Sequence, residues 1–136
     1  MKNIIYNEDN LTTMKMMSDK YIDGIITSPP YNISTKRSDC YYNNGYSEID
    51  NLSEEEYLRI RLNEFKEFSR IIKDRGVICY NMSYHNENPI LPTLLISEIH
   101  KQTDLTLADI ISWKKKQLYH FKLVQLNYLE YVSWFM

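Results

Sequence analysis

An apolar, β-branched run, Ile22–Thr27, meets two consecutive prolines in Ser28-Pro29-Pro30-Tyr31. A run of this kind reads as a strand buried on both faces of a parallel sheet. Each proline fixes its own φ and removes an N–H donor, so the strand cannot continue. Ser28 and Pro29 both precede a proline and are therefore pushed toward extended backbone. The product is a stiff segment that carries carbonyls and one aromatic ring past the carboxyl end of a strand. Ligand sites of open α/β sheets lie at that edge. The plainer reading is a strand-ending turn with an incidental tyrosine, but two prolines and an aromatic placed directly after a buried strand rarely coincide by chance.

The neighbouring segments supply the rest of an alternating pattern. Ile4–Tyr6 reads as a short strand, and Leu11, Met14 and Met17 as one side of a short helix capped by Asp9 or Asn10. After a polar stretch from Ser28 to Leu52, Ser53 and Glu56 form a capping box, and Leu58, Leu62, Phe65, Phe68 and Ile72 form a helical stripe. Gly76 reads as the left-handed end of that helix, with Lys73 and Arg75 close to its last turn. Val77–Met82 reads as a strand, Pro92 to about Lys101 as a helix, and Leu105–Trp113 as a further strand. Strands alternating with helices predict an α/β fold built on a partial doubly wound, mostly parallel sheet.

Charge and composition narrow the function classes. The net charge of −2 does not suit a chain that grips nucleic acid over its whole surface. The balance is uneven, acidic up to residue 112 and basic beyond it, so at most a local patch is available for phosphates. Twelve Tyr against a single Ala, Ala108, reflect a bias toward AT-rich codons rather than a binding surface. Two cysteines, Cys40 and Cys79, and three scattered histidines give neither a disulfide framework nor metal-ligand spacing, so no metal is expected. No apolar run is long enough to span a membrane, and the amino terminus lacks a signal-peptide core. These features lead to the expectation of a cytoplasmic chain with reduced thiols.

Thr27-Ser28-Pro29-Pro30-Tyr31-Asn32 resembles the (Asp/Asn/Ser)-Pro-Pro-(Tyr/Phe) signature of the amino-methyltransferases that act on DNA bases. Three further segments are similar to that family. Ile4-Ile5-Tyr6-Asn7-Glu8-Asp9-Asn10-Leu11 looks like its "I-x-x-G-D-x-L" opening, with Glu8 where the family has Gly. The run from Arg70 through Lys73 and Gly76 to Ile78 looks like "R-x-L-K-x-x-G" and the strand that follows it. Ile110-Ile111-Ser112-Trp113-Lys114-Lys115 looks like "I-x-W-x-K". Their order matches the group whose catalytic half comes first.

The resemblance implies transfer of a methyl group from S-adenosyl-L-methionine to the exocyclic N4 of cytosine or N6 of adenine in double-stranded DNA. Ser at position 28 leans toward cytosine N4. The Ser28 hydroxyl and the Pro29 carbonyl would accept hydrogen bonds from the target amine, with Pro30 stiffening the segment. Tyr31 would stack on the flipped base and offset part of the cost of unstacking it. Asp9 and Ser28 are the candidate cofactor contacts, although Asp9 suits a helix cap equally well. Asn32, Lys36, Arg37 and Lys114 are the candidate DNA contacts, each with a solvated loop or strand end as the alternative. Tyr80, Asn81, Ser83 and Tyr84 are expected at the same carboxyl edge, with Asn81 as a pocket wall.

The family's second half is missing from the pattern. A Gly-rich "F-x-G-x-G" turn holds the cofactor's methionine end in that half, whereas Gly24, Gly45 and Gly76 are the only glycines here and none are paired. The motif resemblance stops near Gln117, after Lys114–Lys116, and 118–136 is apolar and unassigned. The chain therefore reads as a truncated methyltransferase over 1–117 with a tail that a frameshift in the lysine tract would explain, inactive alone. The alternatives are one half of a split enzyme, completed by a second polypeptide, and a non-catalytic DNA-binding or regulatory remnant.

Overall fold

The computed structural model describes residues 3–32, 52–83, 88–114 and 129–135. The elements are α1 (Asn10–Lys15), β1 (Ile22–Thr27), α2 (Glu54–Ile71), β2 (Ile72–Ser83), α3 (Leu91–Gln102), β3 (Leu107–Lys114) and β4 (Leu129–Phe135). The four strands form one sheet in the order β1-β2-β4-β3. β1 and β2 are parallel, and β4 lies antiparallel between β2 and β3. Strands β1, β2 and β3 therefore run in the same direction, which gives the partial, mostly parallel sheet expected from the alternating pattern.

α2 forms where the capping box places it. Ser53 Oγ accepts the Glu56 N–H at 3.2 Å, and Glu54, Glu55 and Glu56 fill the first turn, where the helix dipole favours negative charge. Its stripe packs on β2, with Phe65 fully buried, its ring 5.3 Å from Phe68 and 4.7 Å from Tyr80. Ile78, Tyr80 and Met82 alternate inward from β2 and join Met14, Leu95, Ile99 and Leu105 in one core. Their alternate neighbours Val77, Cys79 and Asn81 are only partly buried, as the period of two requires for a strand covered on one face. Arg70 ties the end of α2 to the amino-terminal layer. Its guanidinium reaches Glu67, Asp19 and the carbonyls of Met14 and Met17 at 2.7–2.9 Å.

Several expectations are corrected. Ile4–Tyr6 is not a strand, and Ile4, Ile5 and Tyr6 are exposed; among the described residues β1 has a hydrogen-bonded neighbour only on its β2 side. β1 is thus an edge strand of the described sheet, and it is not buried on both faces either, since Ile26 is 88% exposed. Gly76 does not end α2. The helix closes at Ile72 in extended conformation, and β2 starts there, five residues earlier than Val77. Gly76 is needed instead for close packing, since a Cβ there would stand 2.5 Å from Ile72 Cγ1 and 3.0 Å from the Asp23 carbonyl. Tyr80 does not face the carboxyl edge but lies 1% exposed among the helices. Finally, the stretch read as a patternless tail contains β4, which occupies an interior place in the sheet.

Candidate active site

The parallel register pairs Thr27 with Tyr80, so Ser28, the first residue past β1, lies beside Asn81, which is still in β2 and paired with Val132 of β4. Three polar groups meet there. Ser28 Oγ and Tyr31 Oη share a hydrogen bond of 2.7 Å. Asn81 Nδ2 donates to Tyr31 Oη at 2.7 Å and to Ser28 Oγ at 3.3 Å. Asn81 Oδ1 is buried and has no hydrogen-bond partner among the described residues. Ser28 itself is exposed and Tyr31 half-buried against the core. The cluster therefore offers a hydroxyl to solvent at the carboxyl edge while its other side is held by the sheet.

The backbone behind this cluster is held from α2. Tyr57 Oη, 1% exposed, donates to the Pro30 carbonyl at 3.0 Å. The Arg61 guanidinium lies over the Tyr57 ring, 5.6 Å from its centroid, and Arg61 Nη1 pairs with Glu64 Oε2 at 3.1 Å. Asn10 Nδ2 in turn donates to Glu64 Oε1 at 3.2 Å. Burial raises the Glu64 carboxyl above its ordinary range, against the opposing pull of Arg61 and Asn10. Burial likewise pushes the Tyr80 hydroxyl well above the usual tyrosine range, with nearby Tyr57 adding to it and the adjacent Arg61 guanidinium opposing it. The sequence pattern did not single out Tyr57, Arg61 and Glu64. A Tyr, an Arg and a Glu on an acidic, capped helix read as its solvated face. The only available signal was their spacing of four and three, which keeps them on one side.

The other candidate residues are spread around this edge. Asp9 is the N-cap of α1, its Oδ1 accepting the N–H groups of Leu11 at 2.9 Å and Thr12 at 3.3 Å. Asn32 adopts left-handed backbone, φ 59°, which asparagine tolerates better than most residues. Its side chain donates to the Leu52 carbonyl at 3.0 Å and accepts the Leu52 N–H at 2.7 Å, pinning together the two ends of 33–51. Lys36 and Arg37 lie outside the described residues. Lys114 ends β3 on the same carboxyl edge as Ser28. The register from Thr27 through Tyr80 and Ser133 reaches Ile110, so Lys114 lies four residues farther along. Two clefts, of about 660 Å³ beside Lys20, Arg70 and Lys101 and about 230 Å³ beside Tyr6, Met16 and Tyr21, do not touch the Ser28 cluster. Among the described residues no group of His, Cys, Asp and Glu is arranged to hold a metal ion, and no helix is long and apolar enough to cross a membrane.

The sequence profile of the N6/N4 DNA methylase family matches residues 22–136. The chain belongs to this DNA methylase family. The match begins at β1, after the Ile4–Leu11 segment, and runs on past Gln117 through β4, beyond the point where the motif resemblance stopped. No curated protein sequence matches this member. Among solved structures, PvuII DNA methyltransferase (cytosine-N4-specific) superposes with a TM-score of 0.68 at 20% identity, over 96% of this methylase chain and 47% of the PvuII chain. A candidate DNA modification methylase from Thermus thermophilus superposes with a TM-score of 0.64 at 15% identity, over 91% of this chain and 48% of that one. Both similarities show the methyltransferase fold. This methylase chain spans about half the length of either relative.

Proposed function

We propose that this chain is the catalytic half of a DNA amino-methyltransferase that acts on an exocyclic base amine, cytosine N4 in preference to adenine N6. The observation that carries the reading is the cluster of Ser28 and Tyr31, just past the end of β1, with Asn81 of the neighbouring parallel strand β2. An exocyclic amine is a weak nucleophile because its lone pair is delocalised into the ring. Acceptors placed on its hydrogens favour a pyramidal nitrogen and free the lone pair. Asn81 is a neutral donor that contacts both hydroxyls. When Ser28 gives its own proton to Tyr31, Ser28 Oγ keeps one lone pair free to accept from the amine. The Pro29 carbonyl, on a segment without a proline N–H to compete, supplies the second acceptor. A flipped base would stack on the Tyr31 ring.

S-adenosyl-L-methionine, when bound, supplies the methyl group in this family. The described residues do not form a cradle for it: the Asp9 carboxylate caps α1, neither cleft touches Ser28, and no Gly-rich turn is present. This mismatch favours a catalytic half that works with a cofactor-binding half, in a second polypeptide or elsewhere in a longer one. The free edge of β1, with Ile26 exposed, supports the same reading. Double-stranded DNA is the proposed substrate, with Asn32 and Lys114 at its edge. Cytosine N4 is favoured by Ser28 and by the cytosine-N4 specificity of the PvuII relative.

The test is co-expression of the chain with the reading frames that flank it, followed by mass spectrometry of nucleosides from host DNA. N4-methylcytosine is expected only when a Gly-rich companion half is present, and sequencing the locus establishes whether one exists. N6-methyladenine instead would reverse the base assignment. DNA binding without methylation in any combination would favour the non-catalytic remnant.

A further inference from the structure

We propose that Tyr57 is a positioning residue for methyl transfer, acting through the Pro30 carbonyl; the inference rests on the catalytic reading given above. Successive peptide groups of the Ser28–Tyr31 segment have different duties. In extended backbone, neighbouring carbonyls point to opposite sides, so only one of the Pro29 and Pro30 carbonyls can face the Ser28 hydroxyl at a time. Tyr57 Oη holds the Pro30 carbonyl on the α2 side at 3.0 Å. Among the described residues the Pro29 carbonyl accepts no hydrogen bond, which leaves it available to the amine. Fixing the Pro30 carbonyl also fixes the Pro30–Tyr31 peptide plane, and with it the direction in which the Tyr31 ring leaves the backbone.

The anchor is itself rigid. Tyr57 is 1% exposed, the Arg61 guanidinium covers its ring, and Arg61 is held by buried Glu64. Glu64 is bonded to Asn10, beside the Asp9 cap. The segment is thus braced from α2 across 27 residues of sequence rather than by its own turn. The prolines lock φ, and Pro29 is also held extended by the proline after it, but the ψ of Pro30 is left free, and that is what a hydrogen bond to its carbonyl fixes.

Carbonyl-carbon and amide NMR on the full-length chain tests this. In Tyr57→Phe the Pro30 carbonyl carbon, read through the Tyr31 amide, should move upfield, and the Tyr31 ring signals should broaden. Tyr21→Phe removes the hydroxyl of an exposed tyrosine just before β1, and should leave both unchanged. In the wild type the Tyr57 hydroxyl proton should exchange slowly with water, a measurement that needs no variant. Rapid exchange, an unmoved Pro30 signal, or an equal response to Tyr21→Phe would overturn the assignment. In a reconstituted enzyme, Tyr57→Phe should lower kcat about tenfold, the scale of one hydrogen bond, with KM for DNA and cofactor unchanged. A rise in KM at constant kcat would refute the positioning role. A wild type that never turns over counts against the catalytic reading, and the NMR measurements then decide on Tyr57 alone.

Discussion

Replacing Arg61 by Met removes one partner of an ion pair whose side chains are 11% and 8% exposed. At 3.1 Å the direct attraction is about 5 kcal/mol at the effective dielectric that describes most protein sites. The raised Glu64 pKa shows that desolvation outweighs this attraction. The pair as a whole should therefore add little stability, while half of it should be costly. Arg61→Met is expected to destabilise the chain by about 3–5 kcal/mol, the usual cost of stranding a buried charge. The double variant Arg61→Met/Glu64→Leu should recover most of that loss. Asn10, the remaining partner, is exposed and can turn to water. Urea unfolding is a suitable assay: with a slope near 2 kcal/mol per molar, the single variant should lower the midpoint by about 2 M and the double by much less.

The same pair predicts a pH dependence of defined sign. The Glu64 carboxyl is raised above 4.5 in the folded chain, so the native state holds a proton that the unfolded chain has lost. Its contribution is fully present below about 4.5 and declines as pH rises toward the folded value. Losing Arg61 raises the carboxyl further, so the penalty of Arg61→Met should shrink as pH falls from the variant's folded value to the wild type's and be small below it. A penalty independent of pH, or a double variant no more stable than the single, would refute the coupling.

Three further outcomes are expected. Phe65→Ala should cost about 3–5 kcal/mol, because the ring is fully buried between Phe68 and Tyr80 and its loss leaves a cavity; calorimetry reads this as a lowered Tm. Gly76→Ala should cost about 1–3 kcal/mol through overpacking against Ile72 and the Asp23 carbonyl, read from the urea midpoint, and an unchanged midpoint would show that β1 and β2 can separate there without cost. Ser28→Ala should leave the urea midpoint within about 0.5 kcal/mol of wild type, since the side chain is exposed. In a reconstituted enzyme it should reduce methyl transfer by about ten- to a hundredfold through loss of one amine acceptor.

Local signals determined much of this protein. The capping box at Ser53, the apolar stripe of α2 and the proline stop after Thr27 act within a few residues, and each lies where the pattern places it. The Ser-Pro-Pro-Tyr segment likewise ends β1 by its own covalent stiffness. The sheet order was not legible, because β4 takes its place between β2 and β3 by pairing with β2, distant in sequence, as well as with the preceding strand β3. Nor was the edge position of β1, since an isoleucine-rich strand reads the same whether one neighbour or two cover it. Gly76 was misread because a glycine that ends a helix and one that admits a close neighbour look identical in sequence. Asn81 becomes a partner of Ser28 only through the parallel register, and Tyr57 one of Pro30 only through the packing of α2 on the sheet. Residue types and short-range stiffness were fixed by the chain itself, while hydrogen-bond partners separated by tens of residues were decided by how the layers pack.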